Sequence, residues 1–221
     1  MAVALIVAAG RGERLGLGRP KALVALAGKP MLEWSLGALR GVPTVKRTVI
    51  ALPPGTDFAP AQADRVVCVA GGTARSQSVQ AALKAAGEGD PVIVHDAARP
   101  LASSALFERA LAALERSGAD AVIAAAPVSD TIKEVSADGR TVSRTLDRAK
   151  LWAVQTPQVF RRQALERALG EATDELLARA TDDAWLLERL GLTVRVIESE
   201  RTNIKVTTAV DLRVAEALLK T

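Results

Sequence analysis

The chain has 221 residues, a formal net charge of +4 and an apolar share of 49%, with three tryptophans, three phenylalanines and no tyrosine. That length predicts one domain over 1–221 with a core of its own, and no apolar run approaches the roughly 20 residues of a membrane span. Scattered basic residues with so few aromatics exclude nucleic acid as an expected partner; Met1–Ala9 lacks the basic flank of a signal peptide, so the expectation is a soluble, cytoplasmic protein.

Val3–Ala9 reads as a first strand and runs straight into Gly10-Arg11-Gly12-Glu13-Arg14, with Pro20-Lys21 following. Glycines permit positive φ and bring main-chain N–H groups close to an anion. Arg14 and Lys21 stand beside them as cations for what the loop holds. The Gly-x4-Gly-Lys-Ser/Thr run of a P-loop is absent. A dinucleotide fingerprint also fails, because Leu15 occupies the third glycine position. The next strand, near Arg47–Leu52, ends in Pro53-Pro54-Gly55 with no acid for a ribose. The loop therefore suits a triphosphate held by another scheme.

Pro30–Arg40 has helical spacing, with Leu32, Leu36 and Leu39 on one side. Thr48–Leu52, Val66–Val69, Val92–Val94 and Ala121–Ala126 are short apolar runs of buried-strand type. Cys68, the lone cysteine, falls in the second of these and is expected to be a buried, inert thiol. It excludes an internal disulfide and a cysteine metal cage. Helices are expected over Arg75–Ala86 and Ser103–Arg116. This alternation predicts an α/β fold, a mostly parallel, Rossmann-like sheet flanked by helices. The rhythm breaks at 132–142, where polar residues flank Asp138-Gly139 in a hairpin pattern. Such an excursion cannot bury its own face, so it packs on another chain or covers a site. Helical segments return at Arg161–Leu169, Asp174–Ala180 and Asp182–Leu190. A strand near Thr193–Ile197 and a helix over Thr208–Leu219 close the pattern.

In open α/β sheets, ligands bind beyond the carboxyl ends of the strands. Three such ends carry chemistry here: the glycine loop, Gly71-Gly72-Thr73-Ala74-Arg75-Ser76-Gln77-Ser78, and His95-Asp96-Ala97-Ala98-Arg99-Pro100. The second can offer N–H groups and a hydroxyl at a helix start. Asp96 is the natural Mg²⁺ ligand, since that ion takes one or two carboxylates and fills its sphere with water and phosphate oxygens. Arg99 can fork onto a phosphate. His95, the single histidine, is assigned no role. No Ser/His/Asp set or histidine cluster occurs. Attack by one phosphate on another needs neither, because a phosphate monoester has a second pKa of about 6 and is ionised without a general base.

Several runs together resemble the 2-C-methyl-D-erythritol 4-phosphate cytidylyltransferase family nearly end to end. They are Ala8-Ala9-Gly10-x-Gly12-x-Arg14-Leu15-Gly16 with Pro20-Lys21, Gly71-Gly72-x-x-Arg75-x-x-Ser78-Val79, and Val94 to Pro100. Further matches are Asp130-Thr131, Arg148-x-x-Leu151-Trp152, Gln155-Thr156-Pro157-Gln158, Thr181-Asp182-Asp183-Ala184 and Asn203-Ile204-Lys205. The resemblance implies a nucleotidyltransferase-type fold and a reaction of CTP with methylerythritol 4-phosphate that releases pyrophosphate and uses Mg²⁺ or another divalent cation. It implies that Arg14 and Lys21 stabilise the α-phosphorus as it gains a fifth ligand. Ala8, Ala9, Gly10, Gly12, Gly71, Ser78 and Ala97 would hold the nucleotide. Asp96 would serve metal and acceptor hydroxyls, with Arg99, Thr131, Thr156 and Thr181 on the acceptor and Lys205 on both substrates. The hairpin, at about 129–152, would be a homodimerisation arm carrying Arg148 into the neighbour's site. Spacing alone leaves Lys205 a solvated surface lysine.

Three positions depart from the family pattern: Ala22 where glutamine is common, Ala82 and Ser199 where glycine is. None removes a charge, so they bear on packing and acceptor fit. Two alternatives are a cytidylyltransferase for another polyol phosphate, such as ribitol 5-phosphate, and a nucleotide-binding regulator without turnover.

Overall fold

The structure, a computed structural model, describes residues 1–10, 12 and 18–220. Its first strand, β1 (Ala2–Val7), lies inside the sheet, and every second side chain points to the same face. Ala4 and Ile6 enter one core, Val3 and Leu5 the other. A strand buried on both faces has to be apolar throughout, which is why the run carries no alternation.

A short hairpin of β2 (Ala25–Leu26) and β3 (Lys29–Pro30) precedes α1 (Met31–Arg40). Then come β4 (Val45–Leu52), β5 (Val66–Ala70), α2 (Arg75–Ala85), β6 (Val92–Asp96), α3 (Ser104–Ser117) and β7 (Ala121–Pro127). Ser103 caps α3 by accepting from Leu106 N–H, and Gly118, at φ 64°, ends it in the left-handed region. The helices α1 and α3 cover one face around Leu36, Leu106 and Phe107. On the other face α2, α4 (Arg162–Glu171) and α6 (Ala184–Arg189) pack around Val79, Leu83, Leu165 and Leu187. Between α4 and α6 in the chain, α5 (Asp174–Arg179) buries Leu177.

After β7 the chain leaves the sheet as a small hairpin, β8 (Lys133–Val135) and β9 (Val142–Thr145). Its turn is where Asp138-Gly139 predicts it. The Asp138 carboxylate accepts from Arg140 N–H, Thr141 N–H and the Ser136 and Thr141 hydroxyls, and Gly139 sits at φ 68°. Both strands of this arm are exposed along their whole length.

The chain then returns as β10 (Trp152–Phe160), and β11 (Val194–Glu198) and α7 (Ala209–Leu219) complete it. The sheet order is β11-β7-β10-β6-β1-β4-β5. β10 is antiparallel to both neighbours, and the remaining pairs are parallel. The sheet is thus mostly parallel and helix-flanked, as expected, but β10 has no counterpart in the sequence reading. Gln155-Thr156-Pro157-Gln158 is polar and lacks the apolar run that marks the buried strands. Proline cannot donate to a ladder, and the pairing with β7 breaks register between Val154 and Gln158 to accommodate it.

Cys68 corrects another expectation. It is exposed, because β5 is an edge strand of the sheet and none of its side chains is fully buried. What burial it has pushes the thiol pKa up, which keeps it a weak nucleophile.

Candidate active site

The carboxyl ends of β1, β5 and β6 open at one rim of the sheet. At β1, Ala8 N–H donates to Ala51 O at 2.9 Å, and Lys21 N–H donates to Gly10 O at 3.1 Å. Gly12, at φ +75°, makes this return possible. A Cβ there would lie 3.1 Å from Lys21 Cβ and 3.2 Å from Lys21 Cα. Lys21 opens a short 3-10 turn, Lys21–Leu23, and its main chain is pinned beside the glycines. Arg14 lies outside the described residues.

At β5, Gly71 N–H donates to Leu52 O at 2.7 Å. A side chain on Gly71 would put a Cβ 2.6 Å from Ala9 Cβ and 2.8 Å from Ser78 Oγ. Ala9, Gly71 and Ser78 therefore form one close-packed floor. Ser78 Oγ accepts from Gly72 N–H at 3.1 Å and donates to Ala74 O at 3.2 Å, which fixes the entry into α2. Ala97 N–H, just past β6, donates to Val7 O at 3.1 Å and draws the third strand end in beside the first.

The charges gather around Asp96. Its Oδ1 accepts from Arg75 Nε at 3.1 Å, and its Oδ2 lies 2.6 Å from Lys205 Nζ. Arg75 is shared, because its Nη1 also donates to Asp183 Oδ2. Burial would raise the Asp96 pKa, but Arg75 and Lys205 outweigh it and hold the carboxyl well below the usual range. Burial pushes Asp183 the other way, above its ordinary value, although Arg75 opposes it. Asp96 is thus a fixed anion at neutral pH. Arg99 is held by carbonyls, with Nη1 donating to Asn203 O at 2.7 Å and Nη2 to Val154 O at 3.2 Å. Asn203 is itself clamped, since its Nδ2 donates to Gln155 Oε1 at 2.7 Å and Thr156 O at 2.9 Å. That clamp sets the loop carrying Lys205.

Arg75, Asp96, Arg99, Thr156, Thr181 and Lys205 line one cavity of about 260 Å³. A larger cavity, about 550 Å³, lies at the opposite end of the sheet, but Asp90, Glu108 and Glu115 outnumber its single arginine, Arg161. It is unsuited to phosphates. The expected acceptor residues Asp96, Arg99, Thr156, Thr181 and Lys205 therefore converge, and Ala8, Ala9, Gly10, Gly12, Gly71, Ser78 and Ala97 sit on the adjoining rim. Thr131 and Arg148 do not line this cavity. Both are exposed at the arm, where Arg148 Nη1 donates to Ser129 O at 2.6 Å.

Arg75, Asp183 and Asn203 are the members that the sequence reading left without a role. All three fell in runs singled out there. No linear signal says that Arg75 meets carboxylates 21 and 108 positions away. His95 is fully buried behind Asp96, and burial lowers its pKa to about 4.

Among the described residues, a glycine-shaped rim adjoins a cavity lined by Arg75, Arg99 and Lys205, with Asp96 between two of these cations and Asp182 in the wall, and three cations against two carboxylates suit it to phosphate. On this sheet, that defines the nucleotidyltransferase class. The family model of 2-C-methyl-D-erythritol 4-phosphate cytidylyltransferase (IspD) matches residues 2–221. A relative of that name from Synechococcus elongatus is 44% identical over 225 residues, covering 98% of this chain and 95% of the relative. One from Deinococcus radiodurans is 46% identical over 218 residues, covering 97% and 88%. The crystal structure of the Thermus thermophilus protein of that name aligns over 100% of both chains, with TM-score 0.83 and 36% identity. That from Francisella tularensis aligns over 98% of both, with TM-score 0.84 and 32% identity. The chain belongs to the 2-C-methyl-D-erythritol 4-phosphate cytidylyltransferase family.

Proposed function

We propose that the chain joins CTP to 2-C-methyl-D-erythritol 4-phosphate, giving 4-diphosphocytidyl-2-C-methyl-D-erythritol and pyrophosphate. The observation that carries this reading is the pairing of Arg75 and Lys205 with the Asp96 carboxylate, in one cavity that Arg99 also lines beside the glycine rim. An oxygen of the acceptor phosphate bonds to the CTP α-phosphorus. The bond from that phosphorus to the bridging oxygen breaks, and pyrophosphate leaves with the electron pair. The attacking oxygen is already ionised, so the task left to the protein is to hold two anions together and meet the charge that develops. Arg14 and Lys21 do this at the α-phosphate, and Lys205 serves both substrates. Arg99, Thr156 and Thr181 hold the acceptor. Cytosine rests on the main chain of the Ala8–Gly10 and Gly71–Ser78 floor.

Magnesium, or another divalent cation, belongs with the triphosphate. Among the described residues no group of three acidic, histidine or cysteine side chains gathers as a cage. Asp96, ionised and already facing two cations, fits an ion that keeps phosphate and water oxygens as most of its ligands. Bound there, the cation would neutralise phosphate oxygens.

The arm is read as a homodimer contact. Val135 and Val142 on it and Trp152 and Val154 at its base are exposed apolar residues on a hairpin with no core. Thr131 and Arg148 would then complete the partner's acceptor subsite. Arg148→Ala is expected to raise the acceptor KM by roughly tenfold and leave the CTP KM nearly unchanged. Mixed dimers of Arg148→Ala and Lys21→Ala chains should regain activity. No rescue from verified mixed dimers would rule out a shared site. Both substrates are phosphorylated metabolites, and among the described residues no helix is long and apolar enough to cross a membrane. The cytoplasm is the location this reading assigns.

Gly71→Ala is expected to cost about 1–3 kcal/mol by overpacking Ala9 and Ser78. It should also raise the CTP KM, because the floor under the nucleotide shifts. Thermal melts and CTP titration measure the two effects, and an unchanged CTP KM would remove Gly71 from the nucleotide subsite. The whole reading is tested by pyrophosphate release from CTP with an acceptor panel. Turnover of ribitol 5-phosphate but not of methylerythritol phosphate overturns the acceptor assignment. CTP binding without release at any metal concentration overturns the enzyme.

A further inference from the structure

Thr156 faces the cavity on one side and the core on the other. Its Oγ1 accepts from the main-chain N–H of Asp96 at 3.1 Å and lies 2.9 Å from His95 Nδ1. Across the ring, His95 Nε2 lies 3.3 Å from Ser35 Oγ on α1. His95 and Ser35 are fully buried, and Phe107 packs edge-on against the imidazole at 5.0 Å between centroids. A buried imidazole flanked by two hydroxyls, with the Arg99 main chain also within bonding reach of the ring, is neutral and carries one hydrogen, on one nitrogen or the other.

The two tautomers run the hydrogen bonds in opposite directions. With the hydrogen on Nε2, the ring donates to Ser35 Oγ and Nδ1 takes the Thr156 hydrogen. The Ser35 hydroxyl hydrogen then lacks an acceptor, because among the described residues Ser35 Oγ has no hydrogen-bond partner besides His95 Nε2. Burying a donor unpaired is costly. With the hydrogen on Nδ1, Ser35 donates to Nε2 and the ring donates to Thr156 Oγ1. That oxygen now accepts twice, from His95 and from Asp96 N–H, so its own hydrogen is left to point into the cavity that Thr156 shares with Arg99 and Lys205. Every donor in this second arrangement has an acceptor once an anion is bound.

We propose that His95 is a positioning residue: as the Nδ1–H tautomer, backed by Ser35, it turns the Thr156 hydroxyl outward as a donor to the acceptor phosphate. The phosphate's identity rests on the function proposed above; the tautomer does not. The chain has one histidine, so isotope-labelled histidine gives a single ring to follow. Proton–nitrogen correlation spectra of the ligand-free protein at neutral pH are expected to show Nδ1 protonated and Nε2 bare. Any other pattern overturns the proposal, whatever acceptor the enzyme takes.

The consequence for substrate is read with two variants. His95→Gln places an amide near the Nε2 position and leaves Thr156 without its inner donor. It is expected to raise the acceptor KM about tenfold while the CTP KM holds. His95→Asn places an amide N–H near the Nδ1 position and is expected to recover most of that loss. Equal acceptor KM values for the two variants, or a rise shared by CTP, overturns the positioning role. Absence of turnover in the wild-type protein with every acceptor would instead count against the proposed reaction, and the spectra would still decide the tautomer.

Discussion

Lys21→Ala is expected to lower kcat by about two to three orders of magnitude, with a much smaller rise in the CTP KM. The main chain of Lys21 is pinned, with its N–H on Gly10 O and its Cα against Gly12. The side chain therefore starts from a fixed base beside the strand end to which the proposed function assigns the triphosphate. A CTP phosphate in the ground state is neutralised by several groups at once. The charge that builds as the α-phosphorus gains a fifth ligand is local and new, and removing a nearby cation is felt mainly there. Steady-state kinetics with CTP varied at saturating acceptor measures the split. A fall in kcat/KM that comes wholly from KM would show that Lys21 binds the nucleotide without favouring its conversion.

Asp96→Asn is expected to reduce kcat/KM by about two or more orders of magnitude and to destabilise the fold at neutral pH. The amide keeps the shape and removes the charge that Arg75 and Lys205 share. Losing one partner of a fully buried pair costs about 3–5 kcal/mol, and the cost here is smaller, because Arg75 stays largely desolvated while Lys205, 43% exposed, is already met by solvent. The sign of the pH dependence follows from the carboxyl itself. Its folded pKa is held below the unfolded value by Arg75 and Lys205 against the effect of burial. Its contribution is therefore fully present above the unfolded aspartate value, about 3.9, and is lost as pH falls through the folded pKa. The melting-temperature gap between wild type and variant should be wide at neutral pH and shrink only in acid below about pH 4. A gap that is the same at every pH would mean that Asp96 is not the anion of the cluster.

The parallel strands were legible because burial on both faces leaves no room for polar residues in Ala2–Val7, Val92–Val94 or Ala121–Ala126. The same rule hid β10. Its middle residues are polar because they supply the site: Thr156 reaches Asp96 N–H, Gln155 clamps Asn203, and Pro157 interrupts the ladder. Function overrode the pattern that announces a strand. Asp96 and Arg99 were legible from the residues next to them at a strand end. Lys205 was not, since only the folded chain brings its ammonium to a carboxylate 109 positions earlier, 2.6 Å away. Arg75 is the opposite case. It stood in a motif in plain view, but its two carboxylates come from separate parts of the chain. Cys68 was misjudged because an apolar run says that a strand is buried on average and does not say whether it lies at an edge.

Trp152 at the start of β10 is paired with Pro127 at the end of β7. Everything between them leaves and re-enters the sheet through one two-strand stem, and the strands on either side of the stem are ladder neighbours. The segment can therefore change length, charge or shape without altering the register of a single core strand. An insertion or deletion there is absorbed at the stem, so its cost stays in the arm and the seven-stranded sheet keeps its pairing.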